Sequence, residues 1–337
     1  MGSLPSPPQS AIQPPPPSPP SSYQVYASFC QWQQGPNTYI CNRIECYSPS
    51  NNTWSYATSI PGITDNHFLK GFAVVSLGDH VFIIGGKQCY KQRVPGLLDP
   101  DEYVDKDVKI QSSVWRYSVR SNQWFTCVPL RTPRCDFAFS VCENKIYVAG
   151  GQSDLACARG VASTEVYDPL LDIWTPLADM AIRRYMCVGG DLASSAEVYD
   201  MQARKWGLVV GMWQLDVPPN QIVEVDGKLF SCGDCLNAWK GHIEVYDGSI
   251  WNEVEGSPQA LKGSPISTSE ANHEDWQPNQ RLYLTMAPIG SCLYLLAGCR
   301  RAGDSSRTTS KVHIFDTSAA TDAWRSLEQL SQTNRRD

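Results

Sequence analysis

The chain has 337 residues, with 28 Lys and Arg against 34 Asp and Glu, a net charge of −6 and a pI near 5.4. That balance argues against broad nucleic-acid or membrane-surface binding, and no apolar run reaches the roughly 18–20 residues that span a bilayer. Thirteen Cys are scattered singly along apparent strands, and the N-terminus lacks the charged head and apolar stretch of an export signal. Together these predict reduced thiols in a cytosolic or nuclear protein, not a disulfide framework. Hydrophobic residues make up 42% of the chain, enough for a sizeable core, and eleven Trp with fifteen Tyr suggest aromatic packing repeated along it.

Residues 1–22, "MGSLPSPPQSAIQPPPPSPPSS", hold nine prolines. Fixed φ angles and missing N–H groups predict an extended, solvated polyproline II tail. Its Pro14–Pro17 and Pro17–Pro20 spacings suit an aromatic-lined groove. The first six residues also match a myristoylation pattern, with Gly2 as acceptor and Ser6 in place. No polybasic second anchor follows, so one acyl chain there would bind membranes only reversibly.

From residue 23 onward a repeating order of features sets in. In 137–174 it runs as two alternating apolar segments around "CENK", then Gly150-Gly151, a loop, an "EVYD" strand and a strand carrying Trp174. The same order occurs in "FAVVSLGDHVFIIGG" with "VWRYSVRSNQW", in "IVEVDGKLFSCGD" with "HIEVYDGSIW", and in "LYLTMAPIGSCLYLLAG" with "VHIFDTSAATDAW". Tyr47 and Trp54, Tyr117 and Trp124, Tyr167 and Trp174, and Tyr199 and Trp206 are each seven apart. That spacing closes a hairpin of two short strands. Tyr and Trp suit the seam between neighbouring sheets, and paired glycines allow close backbone approach or positive φ. Each unit is therefore a four-stranded antiparallel sheet, and stacking such sheets radially gives an all-β propeller. Six units follow, at about 23–61, 66–131, 132–182, 183–217, 218–256 and 279–330, with a polar tail at 331–337.

Gly85-Gly86 and Gly150-Gly151, each followed by the Tyr and then the Trp, resemble kelch repeats over about residues 23–330, most of all those of plant proteins of the F-box/kelch type. The resemblance implies a protein-binding propeller without cofactor, and for some such proteins a substrate-receptor role in a ubiquitin ligase. An F-box would be a helical segment of some 40 residues ahead of the propeller, and none is visible here. A ligase role would thus be served without one. Kelch-like copper oxidases are secreted and use Tyr and His ligands, whereas this chain has five His and no export signal. Plant specifier proteins carry an E-x-x-x-D-x-x-x-H run that this chain lacks, since Glu102 is followed by Lys106 and Ile110. Neither a phosphate-binding loop nor a nucleophile signature stands out. The expectation is a non-catalytic protein with no metal.

The fourth unit departs from the pattern. Arg134 to Gly150 is 16 positions but Arg184 to Gly189 only 5, and Gly151 to Tyr167 is 16 but Gly190 to Tyr199 only 9. The shortfalls of 11 and 7 add to 18, the difference between the 50-residue step Tyr117–Tyr167 and the 32-residue step Tyr167–Tyr199. Strands need about five residues each, so a three-stranded or locally disordered unit with an exposed edge is expected there. The first unit offers strands near 24–31, 42–48 and 53–57, one short of four. The tail after Trp324 alternates poorly, so ring closure is expected to be weak or the first sheet to stay three-stranded.

Connections between the second and third strands, and between units, emerge on one face of such a ring, where variable loops bind partners. The longest, residues 87–112, exceeds a bare connector. The reading places Lys87, Lys91, Arg93, Arg131, Arg134, Arg159, Arg183, Arg184, Lys240, Arg300, Arg301 and Arg307 there, around a mouth suited to an acidic peptide. The rival reading treats these as solvated charges balanced by Asp99, Asp101, Glu102, Asp105 and Asp107. Cys232 and Cys235 form a lone C-x-x-C with no second ligand pair nearby, and read as structural thiols.

Overall fold

The computed structural model describes residues 23–33, 39–63, 66–93, 103–157, 160–181, 196–210, 212, 221–232, 243–256, 279–301, 308–319, 321 and 323–327. Every regular element among them is a β-strand, and all pairing is antiparallel. Alternating Val, Ile and aromatic residues favour strands, and tight hairpin turns join them. The turn residue five places after the repeat aromatic, at Asn52, Asn122, Asp172 and Arg204, takes positive φ. In three of these turns it also accepts the Tyr hydroxyl: Tyr47 to Asn52 Oδ1 (3.0 Å), Tyr117 to Asn122 Oδ1 (2.7 Å) and Tyr167 to Asp172 Oδ1 (2.5 Å).

The first sheet is three-stranded, β1 (Val25–Gln33), β2 (Tyr39–Ser48) and β3 (Thr53–Ser59). In the second unit β4 (His67–Lys70) precedes β5 (Ala73–Leu77), and β6 (His80–Ile84) leads through Gly85-Gly86 into β7 (Lys87–Arg93). The chain then returns along β8 (Tyr103–Ile110), β9 (Val114–Ser118) and β10 (Gln123–Cys127). Strands β5, β6, β9 and β10 make the four-stranded blade, while β4, β7 and β8 form a separate three-stranded ribbon. Residues 87–112, read from sequence as one long connection, are thus largely this ribbon. It is braced on the first sheet, where the Asn42 amide accepts from Leu69 N (2.6 Å) and donates to Leu69 O (3.2 Å).

The third blade has four strands, β11 (Ala138–Cys142), β12 (Lys145–Ala149), β13 (Thr164–Asp168) and β14 (Ile173–Pro176). In the fourth, β15 (Ala196–Asp200) pairs with β16 (Lys205–Val209), and the expected extra strand falls on residues outside those described. The fifth blade is β17 (Gln221–Val225), β18 (Lys228–Cys232), β19 (Ile243–Tyr246) and β20 (Trp251–Glu253). The last is β21 (Asn279–Ile289), β22 (Cys292–Arg301), β23 (Thr308–Asp316) and β24 (Trp324–Leu327).

The core lies in the seams between sheets. Val75, Phe82, Ile84 and Val114 of the second blade share one buried cluster with Ile146, Val148, Tyr167 and Trp174 of the third. The first and second sheets meet at Ile44, Ile60, Leu69 and Ile83, the fifth and sixth at Phe230, Ile243, Leu284 and Leu295. First and last sheets also share a cluster, with Tyr47 buried beside Leu296, Val312 and Ile314. Among the described residues no strand crosses that seam, and apolar packing joins the first and last sheets there. In four units the repeat Trp ties its sheet to the preceding one by its indole N–H: Trp124 to Thr58 Oγ1 (2.8 Å), Trp174 to Val128 O (3.0 Å), Trp206 to Ala178 O (2.8 Å) and Trp324 to Glu255 O (3.0 Å).

Candidate interaction face

The glycine pairs explain how one face of the ring is assembled. Gly85 and Gly86 sit at φ 61° and 94°, and a Cβ on Gly85 would lie 2.5 Å from Arg134 O. Only glycine lets the segment entering the third blade cross so closely, and there Gly86 N donates to Arg134 O (2.8 Å). Gly150 and Gly151 repeat the geometry at φ 70° and 88°.

Arg134, expected to face a partner, is instead fully buried. Its guanidinium donates to Gly150 O (2.9 Å), Ser163 O (3.0 Å), Ser163 Oγ (3.1 Å) and Glu165 Oε1 (2.7 Å). Side-chain exposures of 0% for Arg134 and 3% for Glu165 make this an interior ion pair. Burial holds the guanidinium below its ordinary value, although the Glu165 charge pulls it upward. The planar fork of arginine matches several fixed acceptors at once, so Arg134 clamps the third blade's entry and carries no docking charge. The other Glu165 oxygen accepts from Arg131 N (3.1 Å), leaving the Arg131 side chain exposed beside it.

Arg300 and Arg301 lie in β22, opposite Gln280 and Asn279. Arg159, Arg183 and Arg184 lie outside the described residues, as do Lys240 and Arg307. The structure therefore brings Arg131 and Arg134 together and assigns them different roles.

The ribbon next to this entry carries the face's other charges. Lys87 reaches Asp107 (3.3 Å) and Asp136 (4.0 Å), Lys91 reaches Asp105 (3.2 Å), and Lys70 pairs with Asp105 as well. Burial alone would raise Asp105, but the Lys70 hydrogen bond and the Lys70 and Lys91 charges outweigh it and hold the carboxyl low. Both ammoniums also stand 5.8 Å from the centre of the Phe68 ring. Lys87 and Lys91, expected to draw an acidic peptide, are thus compensated within the ribbon, as the rival reading of the charges held for Asp105 and Asp107. Asp136 was missed because it belongs to another blade. Lys106, Lys109, Val104 and Val108 of β8 face solvent.

Thiol chemistry follows burial. Burial pushes Cys30, Cys89 and Cys135 up to about 12, so their thiolates are scarce. Cys232 is buried at the end of β18, and Cys235 lies outside the described residues. Among the described residues no three His, Cys, Asp or Glu side chains converge as a metal site, and no helix is long and apolar enough to cross a membrane.

The model of the Kelch motif matches residues 133–181, the third blade with its entry. The F-box/kelch-repeat protein At1g16250 of Arabidopsis thaliana is 30% identical over 51% of this chain and 46% of its own length. F-box/kelch-repeat protein SKIP30 of the same plant is 30% identical over 41% and 36%, and Kelch-like protein 23 of Homo sapiens 25% identical over 41% and 21%. The matches therefore span less than half the length of each of these relatives. The solved structure of YjhT superposes with a TM-score of 0.51 at 13% identity, covering 94% of this chain and 100% of that one, a likeness of fold alone. The architecture is that of a β-propeller, one blade of which matches the Kelch motif, and the chain's likeness is to plant proteins of the F-box/kelch type.

Proposed function

We propose that this protein is a non-catalytic interaction platform that holds a partner protein on the face carrying Arg131 and the β4–β7–β8 ribbon. The observation behind this reading is the ribbon itself. The second blade is complete with β5, β6, β9 and β10, yet the chain extends three of its strands past the glycine pair into a second sheet. Rigid protrusions of this kind commonly carry binding residues, and the edge strand β8 leaves one side of its backbone unpaired among the described residues. Names of the relatives, F-box/kelch-repeat and Kelch-like, fit a protein-binding role. The test joins residue 86 directly to residue 111 through a short Gly-Ser linker and compares partners captured in cells. Loss of partners without loss of folding supports the platform; an unchanged set removes it. Acidic peptides remain the favoured ligand class only for Arg131, Arg300, Arg301, Arg159, Arg183 and Arg184, since Lys87 and Lys91 are neutralised.

A second reading is a substrate-recognition component of a ubiquitin ligase, favoured by the F-box/kelch names of the plant relatives. Direct binding of the purified chain to a Skp1-type adaptor would support it, and adaptor-free capture of the same partners would count against it.

A further inference from the structure

A histidine stands in the sixth blade at a register that other units fill with glutamate. Glu45, Glu165, Glu197 and Glu244 each lie two places before the repeat Tyr, and His313 lies two places before Phe315. In the third and fourth units the glutamate accepts the backbone N–H found seven places after the preceding Trp. Arg131 N donates to Glu165 Oε2 (3.1 Å) and Ala181 N to Glu197 Oε1 (2.8 Å). Seven places after Trp206 and Trp324 stand Trp213 and Ser331, which also carry an N–H. Seven places after Trp54 and Trp251 stand Pro61 and Pro258, which do not. Those two prolines precede the two units that lack the glutamate. In the second unit the exchange is apolar: Trp115 takes the register, and a Cβ on Gly62 would lie 2.9 Å from its ring. In the sixth it leaves a titratable group inside.

His313 is only 1% exposed. Strand pairing sets it between Leu295 of β22 and Ser326 of β24, on the face whose Leu293, Leu295 and Phe315 pack against the fifth blade. Its Nδ1 lies 2.8 Å from Ser326 Oγ, and its Nε2 has no hydrogen-bond partner among the described residues. A neutral imidazole tolerates this, since one nitrogen can stay a bare acceptor. An imidazolium carries an N–H on both nitrogens, and the second would be buried unpaired.

Side-chain alternation gives the groups that face it. Lys311 shares its face on β23, and β18 presents Cys232 and, at its exposed end, Lys228. The fifth blade otherwise offers Val225, Phe230, Ile243 and Val254 there. Glu224, Glu244, Glu253, Asp316 and Arg325 belong to the opposite faces of their strands. Asp226 does reach the sixth blade, but at Thr317 in the turn beyond β23. Among the described residues no carboxylate offsets a charge on His313. Burial, and after it the Lys311 charge, hold the imidazole below its ordinary value.

We propose that His313 makes the sixth blade acid-labile: its protonation opens the seam with the fifth blade while the glutamate-clamped third blade stays closed. The sign follows from linkage. The seam keeps its full stability above the ordinary value of 6.5 and loses it as pH falls through the lower folded value. Partner binding on the ribbon face uses none of these residues.

Native-state hydrogen exchange of the full-length protein, corrected for intrinsic rate, reads the opening. Amides of β19, β22 and β23 should exchange at least about fivefold faster near pH 5 than near pH 7.5, and those of β12 and β13 no faster. His313→Phe fills the same space without a titratable group. It should abolish the acceleration, although the other four of the chain's five His remain. The wild-type imidazole, followed by NMR, needs no variant and should titrate below 6.5. Titration at or above that value overturns the proposal. So does a wild-type chain without acceleration, acceleration that persists in the Phe variant, or acceleration that is equal in β12 and β13.

Discussion

The hairpins β13–β14 and β15–β16 are two copies of one device in different surroundings. Their aromatic pairs are alike, with ring centroids 5.0 Å apart for Tyr167–Trp174 and 5.2 Å for Tyr199–Trp206. Both indoles donate to a carbonyl of the preceding blade, and both strands offer a glutamate to an incoming backbone N–H. Yet Tyr167 and Trp174 are buried in a continuous seam, whereas Tyr199 and Trp206 remain half-buried and Val198 and Leu208 face solvent. The hydrogen bonds place a hairpin; the inner strands and the Arg134 clamp bury it. Docking and burial are separable in this ring.

Breaking the clamp should have the largest effect. Arg134→Met strands Glu165 in the interior and should cost about 3–5 kcal/mol, with Arg134→Met/Glu165→Leu recovering most of it. Urea denaturation measures both. The two tryptophans sharpen the contrast next: Trp174→Ala should destabilise by about 3–5 kcal/mol. Trp206→Ala, already half in water, should cost under about 1.5 kcal/mol, chiefly its hydrogen bond and partial burial.

Acid should separate the ribbon from the blade it extends. Asp105 is held below its unfolded value of about 3.9, so its pairing with Lys70 and Lys91 stabilises the ribbon above that pH. The contribution is lost as pH falls through the lower folded value. Exchange at β7 and β8, corrected for intrinsic rate, should accelerate below about pH 4 while β12 and β13 do not change. Smallest is a difference in thiol reactivity: exposed Cys142 and Cys157 should alkylate first, and buried Cys89 and Cys135 last. Mass spectrometry of partially labelled protein reads the order.

Much of this arrangement was legible because the seams are written as a spacing. Tyr and Trp seven apart located the outer hairpins, and the first sheet's strands fall within three residues of the expected ends. The sixth unit departs from that spacing, with Phe315 and Trp324 nine apart, yet their rings still meet at 4.8 Å. The ribbon was not legible, since Lys and Asp alternate along β8 in a way that reads as solvated loop, while its support comes from Asn42 and Ile40 in a different sheet. Arg134 was misplaced for a related reason, as charge alone argues for surface. The available signal was glutamate two places before the repeat Tyr, at Glu45, Glu165, Glu197 and Glu244. Burial of Glu45 and Glu165 at that register calls for an internal donor.

Native-state hydrogen exchange tests most directly whether burial, and not the outer hairpin's own bonds, stabilises each blade. Amides of β13 and β14 should exchange only through global unfolding, and those of β15 and β16 at least about a hundredfold faster through local opening. Equal protection of the two hairpins would contradict the account.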